Sequence, residues 1–133
     1  MLPIRNRRQL WDFVAGNFEI PLPCRSFTQG HSTPLDFLHY ALAHPGRDLA
    51  AWACRSGGKT LAASILAALE FLRTDRLQAR VLSGSRTQAG NLYGYWRRWC
   101  NGPLADRLEG PVGRLLTHVA GGRMEIVAAS QRA

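Results

Sequence analysis

The sequence predicts an α/β fold with a mainly parallel sheet and a β-hairpin near the C-terminus. Helical and strand-like apolar patterns alternate along the 133 residues, which is typical of helices packed on a mostly parallel sheet. A strand-length apolar segment, residues 48–54, leads into a glycine-containing loop and then a long apolar helix. The pair Gly121-Gly122 separates two strand-like segments and predicts the hairpin.

The first 30 residues are predicted to form a short helix and an extended connector. Residues 5–15 have the spacing of a short amphipathic helix, and the connector at 19–34 holds three prolines and a glycine. Thr33 and Pro34 then predict the start of a second helix, because a capping residue followed by a first-turn proline is a strong start signal. This helix is expected to end near residue 44.

The remaining elements follow in alternation. Residues 59–73 are rich in alanine and leucine and apolar nearly all round, so this helix should be buried on more than one side. A second strand is expected at 79–85, and a helix at 87–99. In that helix the aromatic residues at helical spacing favour a core face over a base-stacking surface, which leaves Arg97 and Arg98 as exposed charge.

The segment AWACRSGGKT, residues 51–60, ends like a phosphate-binding loop. The usual pattern is Gly, four residues, then Gly-Lys-Ser/Thr. Gly58, Lys59 and Thr60 match its end, whereas Ala53 stands at the position of the first glycine. A predicted strand precedes the segment and a buried helix follows it, which is the context that the motif requires. The alternative interpretation is a tight Gly-Gly turn at the start of a helix.

A loop of this kind holds phosphate with successive backbone N–H groups at the positive end of a helix dipole. Lys59 is expected to reach the β- and γ-phosphates of ATP, and the Thr60 hydroxyl to hold the Mg²⁺ that bridges them. The predicted nucleotide-binding residues are Arg55, Ser56, Gly57, Gly58, Lys59 and Thr60.

The charge of the chain is unusual in kind as well as in amount. The formal net charge is +8, and Lys59 is the one lysine among seventeen basic residues. A phosphate loop needs a slim, flexible ammonium rather than a planar guanidinium, so the position of this lysine supports the loop. The excess of arginine favours polyanionic partners such as nucleic acid, although a solvated basic surface explains it equally well.

Other classes of site find little support. The three cysteines are widely spaced, and no Cys-x-x-Cys or paired Cys/His spacing indicates zinc. No histidine and acid accompany a cysteine or serine in a way that predicts a catalytic nucleophile. The sequence contains no apolar stretch of membrane-spanning length and no secretory signal, so we expect a cytoplasmic protein without a membrane partner.

Several stretches resemble the large subunits of tailed-phage terminases. ACRSGGKT has an arginine four residues before the lysine and no leading glycine, like the variant Walker A loop of that family. CRSFTQGHSTPLDFL is similar to its lead-in segment, and VLSGSRTQAGNLYGYW to its second-strand motif. VAGGRMEIVAASQR resembles the hairpin before its Walker B strand. The similarity spans roughly residues 20–133, and the loop is its most specific part.

The resemblance implies a P-loop ATPase core of the ASCE type, with three layers, in a motor that uses ATP and Mg²⁺ to package viral DNA in the host cell cytoplasm. It implies double-stranded DNA, a portal ring, the small terminase subunit and other large subunits as partners. It also implies a sensing or coupling role for Ser85 and Gln88, with helix capping as an equal alternative for Ser85.

The sequence departs from the family by an absence. No apolar strand ends in the Asp-Glu pair of a Walker B motif, so no catalytic residue is assigned. Residues 31–133 are therefore expected to be an incomplete ATPase domain, inactive in hydrolysis, with a gapped sheet and a reading frame that continues past Ala133. A helicase-like P-loop ATPase fragment and a non-catalytic basic DNA-binding module are the alternatives.

Overall fold

The structure, a computed structural model, describes Leu2, residues 4–53 and residues 58–129. In these residues the chain divides into two compact units, Leu2–Leu66 and the residues from Ala67 onward, with the division inside the third helix. Helices and strands are both present, so the α/β class is confirmed. The elements are α1 Arg7–Asn17, α2 Pro34–Ala43, α3 Lys59–Arg73, β1 Gln78–Ser83, α4 Arg86–Cys100, β2 Leu116–Val119 and β3 Gly122–Ala128, with a 3-10 turn at Ala105–Arg107.

The first unit packs α1 against α2, with a connector between them that is held by side chains of α1. The Trp11 indole N–H donates to the carbonyl oxygen of Leu22 at 2.9 Å, and Leu22 is buried. The Arg7 guanidinium donates to the Cys24 carbonyl oxygen in the connector and to the Asp36 carboxylate of α2, the latter at 2.8 Å. These contacts hold the proline-rich connector in a defined path although it has no regular secondary structure.

The start of α2 agrees with the sequence prediction. The Thr33 hydroxyl accepts from the Asp36 N–H, the Asp36 carboxylate accepts from the Thr33 N–H, and Pro34 occupies the first turn. This reciprocal arrangement is a capping box, which satisfies two backbone donors that a helix start leaves without partners.

The strand predicted at 48–54 is wrong for the residues that the structure describes. Residues 48–53 have no regular secondary structure, and Cys54 lies outside the described residues. Trp52 is 95% exposed and Leu49 37% exposed. An apolar run becomes a buried strand only where a neighbouring strand accepts its backbone hydrogen bonds, and the described residues provide no such neighbour for it.

The second unit contains a three-stranded sheet in the order β1-β3-β2. β1 pairs with β3 in parallel along its whole length, from Gln78 beside Arg123 to Ser83 beside Ala128. β2 pairs with β3 in the antiparallel direction. The sheet is therefore mixed rather than mainly parallel. β3 pairs with one edge of β1, and in the described residues the other edge pairs with no strand. The gap expected between the strand at 48–54 and the strand at 79–85 stays a prediction, because residues 48–53 form no strand.

The predicted hairpin is present, with its turn one residue earlier than expected. Ala120 and Gly121 connect β2 to β3 with φ angles of 49° and 80°, and two central residues with positive φ match the twist of a two-residue hairpin. Gly122 belongs to β3 instead. A side chain at Gly122 would collide with the backbone of Leu77, so this glycine is required by close approach and not by the turn.

Helix α4 covers one face of the sheet. The Trp96 indole N–H donates to the Thr117 hydroxyl of β2 at 3.2 Å, and both residues are buried. The Phe71 ring lies 5.5 Å from the Trp96 ring, measured between centroids. The predicted core face of this helix is confirmed, since Leu92, Trp96 and Trp99 are buried. The opposite face of the sheet carries Leu82, which is 70% exposed.

Candidate functional site

The candidate phosphate loop lies partly outside the described residues. Arg55, Ser56 and Gly57 fall in that gap, and so does Cys54. The structure does describe both ends of the segment, with Ala53 before it and Gly58, Lys59 and Thr60 after it.

The Lys59 side chain joins the two ends of the segment. Its ammonium group donates to the carbonyl oxygen of Ala53 at 3.0 Å. Ala53 occupies the position of the missing first glycine, six residues before the lysine. The first position of the motif and its lysine are thus in direct contact, through the ammonium group of Lys59.

Helix α3 begins at Lys59, directly after a glycine with an unusual backbone. Gly58 has a φ of 82°, a conformation that costs a glycine little and other residues more. Its carbonyl oxygen accepts from the Ala62 N–H at 2.9 Å, which makes Gly58 the residue at which helical hydrogen bonding starts. The N–H groups of the next three residues then lack partners within the helix, and the first turn contains no acidic residue.

Thr60 lies in the first turn of α3 and is exposed. Among the described residues its hydroxyl has no hydrogen-bond partner in the helix or the segment before it. The exposed ammonium of Lys59 can donate hydrogen bonds to a phosphate. The exposed hydroxyl oxygen of Thr60, one residue later, can ligate a hard cation, because Mg²⁺ prefers oxygen ligands and keeps several waters.

Ser85 caps helix α4. Its hydroxyl accepts from the Gln88 N–H at 3.2 Å, and its backbone has the extended conformation usual for this position. The capping alternative therefore accounts for the hydroxyl of Ser85 in this structure. Gln88 is exposed in the same first turn. A sensing role for either residue stays a prediction.

Within the described residues, no group of three or more His, Cys, Asp or Glu side chains is arranged to hold a metal ion. Cys100 is buried, and burial raises the pKa of its thiol to about 12. A thiol with so high a pKa is protonated at neutral pH and is a poor nucleophile. In the same part of the chain, no helix has the length and apolar character needed to cross a membrane.

The sequence reasoning missed one basic cavity, which involves Arg86, Tyr93 and Arg114. Arg86 and Tyr93 lie on α4 and Arg114 lies just before β2, and they meet because α4 packs on the sheet to which β2 belongs. A hint was present in the stretch NLYGYWRRWC, where aromatic and basic residues alternate. That hint indicated Arg97 and Arg98, which lie between the core tryptophans, and not Arg114, whose guanidinium lies over the Tyr93 ring.

Comparison with known proteins returns no match to this chain among family models, curated proteins or solved structures.

Proposed function

We propose that residues 53–60 form a nucleotide-binding loop in which Lys59 contacts the outer phosphates. The contact between the Lys59 ammonium and the Ala53 carbonyl oxygen at 3.0 Å carries this proposal. It holds the side chain across the two ends of the motif at the N-terminus of α3. A phosphate could take the place of the Ala53 carbonyl oxygen as the acceptor from the Lys59 ammonium. It would at the same time accept hydrogen bonds from the backbone N–H groups of the first turn of α3.

Alanine is the smallest substitute for glycine, so Ala53 at the position of the first glycine is compatible with this role. A side chain of one methyl group leaves the carbonyl of residue 53 accessible to Lys59, as the 3.0 Å contact requires. Thr60 is the candidate ligand for the Mg²⁺ that accompanies ATP, since its hydroxyl is exposed in the first turn. Arg55, Ser56 and Gly57 complete the proposed loop on the evidence of the sequence.

On this basis we propose that the chain is the N-terminal ATPase region of a terminase-type DNA-packaging motor. The support is the order of its motifs: the variant loop, the strand β1 ending at Ser83, and the hairpin of β2 and β3. A three-layer P-loop core is part of this proposal. The described residues form a smaller arrangement, a three-stranded mixed sheet with helices. The sequence lacks the Walker B Asp-Glu pair, whose glutamate would activate the attacking water and whose aspartate would hold Mg²⁺, so the chain is proposed to bind ATP without hydrolysing it.

Nucleotide titration tests the loop directly. Substitution of Lys59 by Ala should reduce the affinity for a fluorescent ATP analogue with Mg²⁺ by about 10- to 150-fold, since a hydrogen bond to a charged group contributes roughly 1.5–3 kcal/mol. Lys59→Arg should also weaken binding strongly, because the guanidinium does not fit so tight a turn.

Arg47→Ala is the matched control, because Arg47 is also exposed and its loss changes the net charge equally. Its affinity should stay within about twofold of the wild type. Equal affinities for the wild type and Lys59→Ala would contradict the proposal. Such a result would favour the second candidate, a basic DNA-binding module, for which the net charge of +8 is the supporting observation.

A further inference from the structure

A cavity of about 250 Å³ lies in the second unit, between α4, the segment before β2, and β3. Arg86, Gly90 and Tyr93 line it from α4, and Arg114 lines it from the segment before β2. Its floor is apolar and includes Ile126 and Ala128 of β3, which are both buried. The cavity therefore combines a buried apolar floor, one aromatic ring and two guanidinium groups, and its lining contains no carboxylate.

The two arginines of this cavity are not neutralised by the acidic residues around them. The residues from Ala67 onward include ten basic and five acidic side chains. Three of those acids, Glu70, Asp75 and Glu125, form ion pairs with arginines outside the cavity. Arg86 and Arg114 form no ion pair with any residue that the structure describes. Two uncompensated guanidinium groups beside one cavity favour an anionic ligand.

Tyr93 and Arg114 already show the contact geometry of a stacking site. The Arg114 guanidinium carbon lies 5.7 Å from the centre of the Tyr93 ring, which is within the range of cation–π attraction. Tyr93 is half-buried whereas Arg114 is exposed. The protein therefore restricts the ring, and the exposed guanidinium beside it is accessible to a ligand that enters the cavity.

Gly90 leaves the α4 side of the cavity open. A glycine inside a helix is unfavourable relative to alanine, and a Cβ added at Gly90 would meet no atom within 4 Å. Gly94, one turn later on the same side of α4, has equally open space around it. Packing of the described residues does not require either glycine. Gly90, which lines the cavity, leaves room beside Tyr93 for another molecule.

We propose that this cavity binds one nucleotide unit of a single-stranded nucleic acid, with its base beside Tyr93 and its flanking phosphates on Arg86 and Arg114. The volume of the cavity lies below the roughly 300–1,000 Å³ of sites for drug-sized ligands, so the cavity suits a single nucleotide base. Bases in a duplex are stacked inside it, whereas a single strand can present a base to an aromatic ring while arginines hold its backbone. This site is separate from the proposed ATP loop and does not depend on it.

The test is fluorescence anisotropy of the full chain with a labelled oligothymidylate of about 12 nucleotides, within the range of known single-strand site sizes, without ATP or Mg²⁺. Gly90→Leu fills the cavity without changing charge and should weaken binding about 5- to 150-fold, the effect of losing one stacked base. Arg114→Gln, at an exposed position, should weaken it about tenfold. A duplex of the same length should bind with an affinity that Gly90→Leu leaves unchanged.

Two matched controls accompany these variants. Gly16→Leu alters another helical glycine with open space around it, and Arg47→Gln removes an exposed arginine of the first unit. Neither should change the affinity more than about twofold. Unchanged binding by both Gly90→Leu and Arg114→Gln would overturn the proposal. Equal displacement of the oligonucleotide by poly-glutamate would also overturn it, because the site would then accept acidic polymers in general.

Discussion

Two cysteines illustrate how strongly burial decides the chemistry of a single residue here. Cys24 is exposed on the connector, whereas Cys100 is buried at the end of α4. Burial raises the pKa of Cys100 to about 12, because the thiolate is poorly solvated there. The thiolate is the reactive form, so only the exposed thiol of this pair should react in the folded protein.

We predict that iodoacetamide at about pH 8 modifies Cys24 and leaves Cys100 unmodified until the protein is denatured. Peptide mass spectrometry reads the two sites separately. Modification in urea is the control, since unfolding exposes the Cys100 thiol to the solvent and the reagent. Rapid modification of Cys100 in the native protein would show that α4 does not protect it as the structure indicates.

Residue-level reasoning also identified part of the candidate site from the sequence. Lys59 was predictable because it is the one lysine of the chain and stands at a recognisable spacing. The cavity residues Arg86 and Arg114 were not predictable in the same way. They are 28 positions apart in the sequence, and their proximity depends on strand register, which no local pattern specifies.

At the scale of elements, predictions based on local signals were the accurate ones. The start of α2 was read correctly from Thr33 and Pro34, because a capping box is complete within four residues. The hairpin was also found, although its turn begins at Ala120. The strand at 48–54 was predicted from apolar composition alone and was wrong over 48–53. A strand depends on a partner, and composition does not say whether the chain supplies one.

The capping box of α2 makes a pH-dependent prediction. A hydrogen bond from the Thr33 N–H lowers the pKa of Asp36 below its ordinary value of 3.8, the Arg7 guanidinium acts in the same direction, and partial burial opposes both. A carboxylate with a lowered folded-state pKa stabilises the fold above its unfolded pKa, and that stabilisation is lost as the pH falls through the folded pKa.

We therefore expect Asp36→Asn, which keeps a hydrogen-bond acceptor but removes the charge, to lower the free energy of unfolding in urea by about 0.3–1 kcal/mol near neutral pH, the usual effect of a negative charge in the first turn of a helix. The difference from the wild type should shrink as the pH falls below 3.8. Thr28→Ala, in the exposed connector, is the control and should have no effect at either pH. A difference that grows on acidification would contradict the role given to this carboxylate.

At the scale of the whole molecule, charge and exposed apolar surface act against each other. The net charge of +8 should repel other copies of the chain, most strongly at low salt. The open face of the sheet has the opposite effect. Leu82 lies beside Val127 in the sheet register, and Leu115 and Leu116 are also exposed. In the described residues, the outer edge of β1 pairs with no further strand, and such edges promote association.

This balance predicts association that increases with both protein concentration and salt, because salt screens the repulsion and leaves the apolar attraction. Sedimentation velocity across a concentration series should show it. Leu82→Lys should reduce the association, since it places a charge on the open face at a site that is 70% exposed and tolerant of substitution. Phe27→Lys is the matched control, because it adds the same charge and removes a fully exposed apolar side chain of the first unit. If Phe27→Lys abolished association while Leu82→Lys did not, the sheet face would not be the surface responsible.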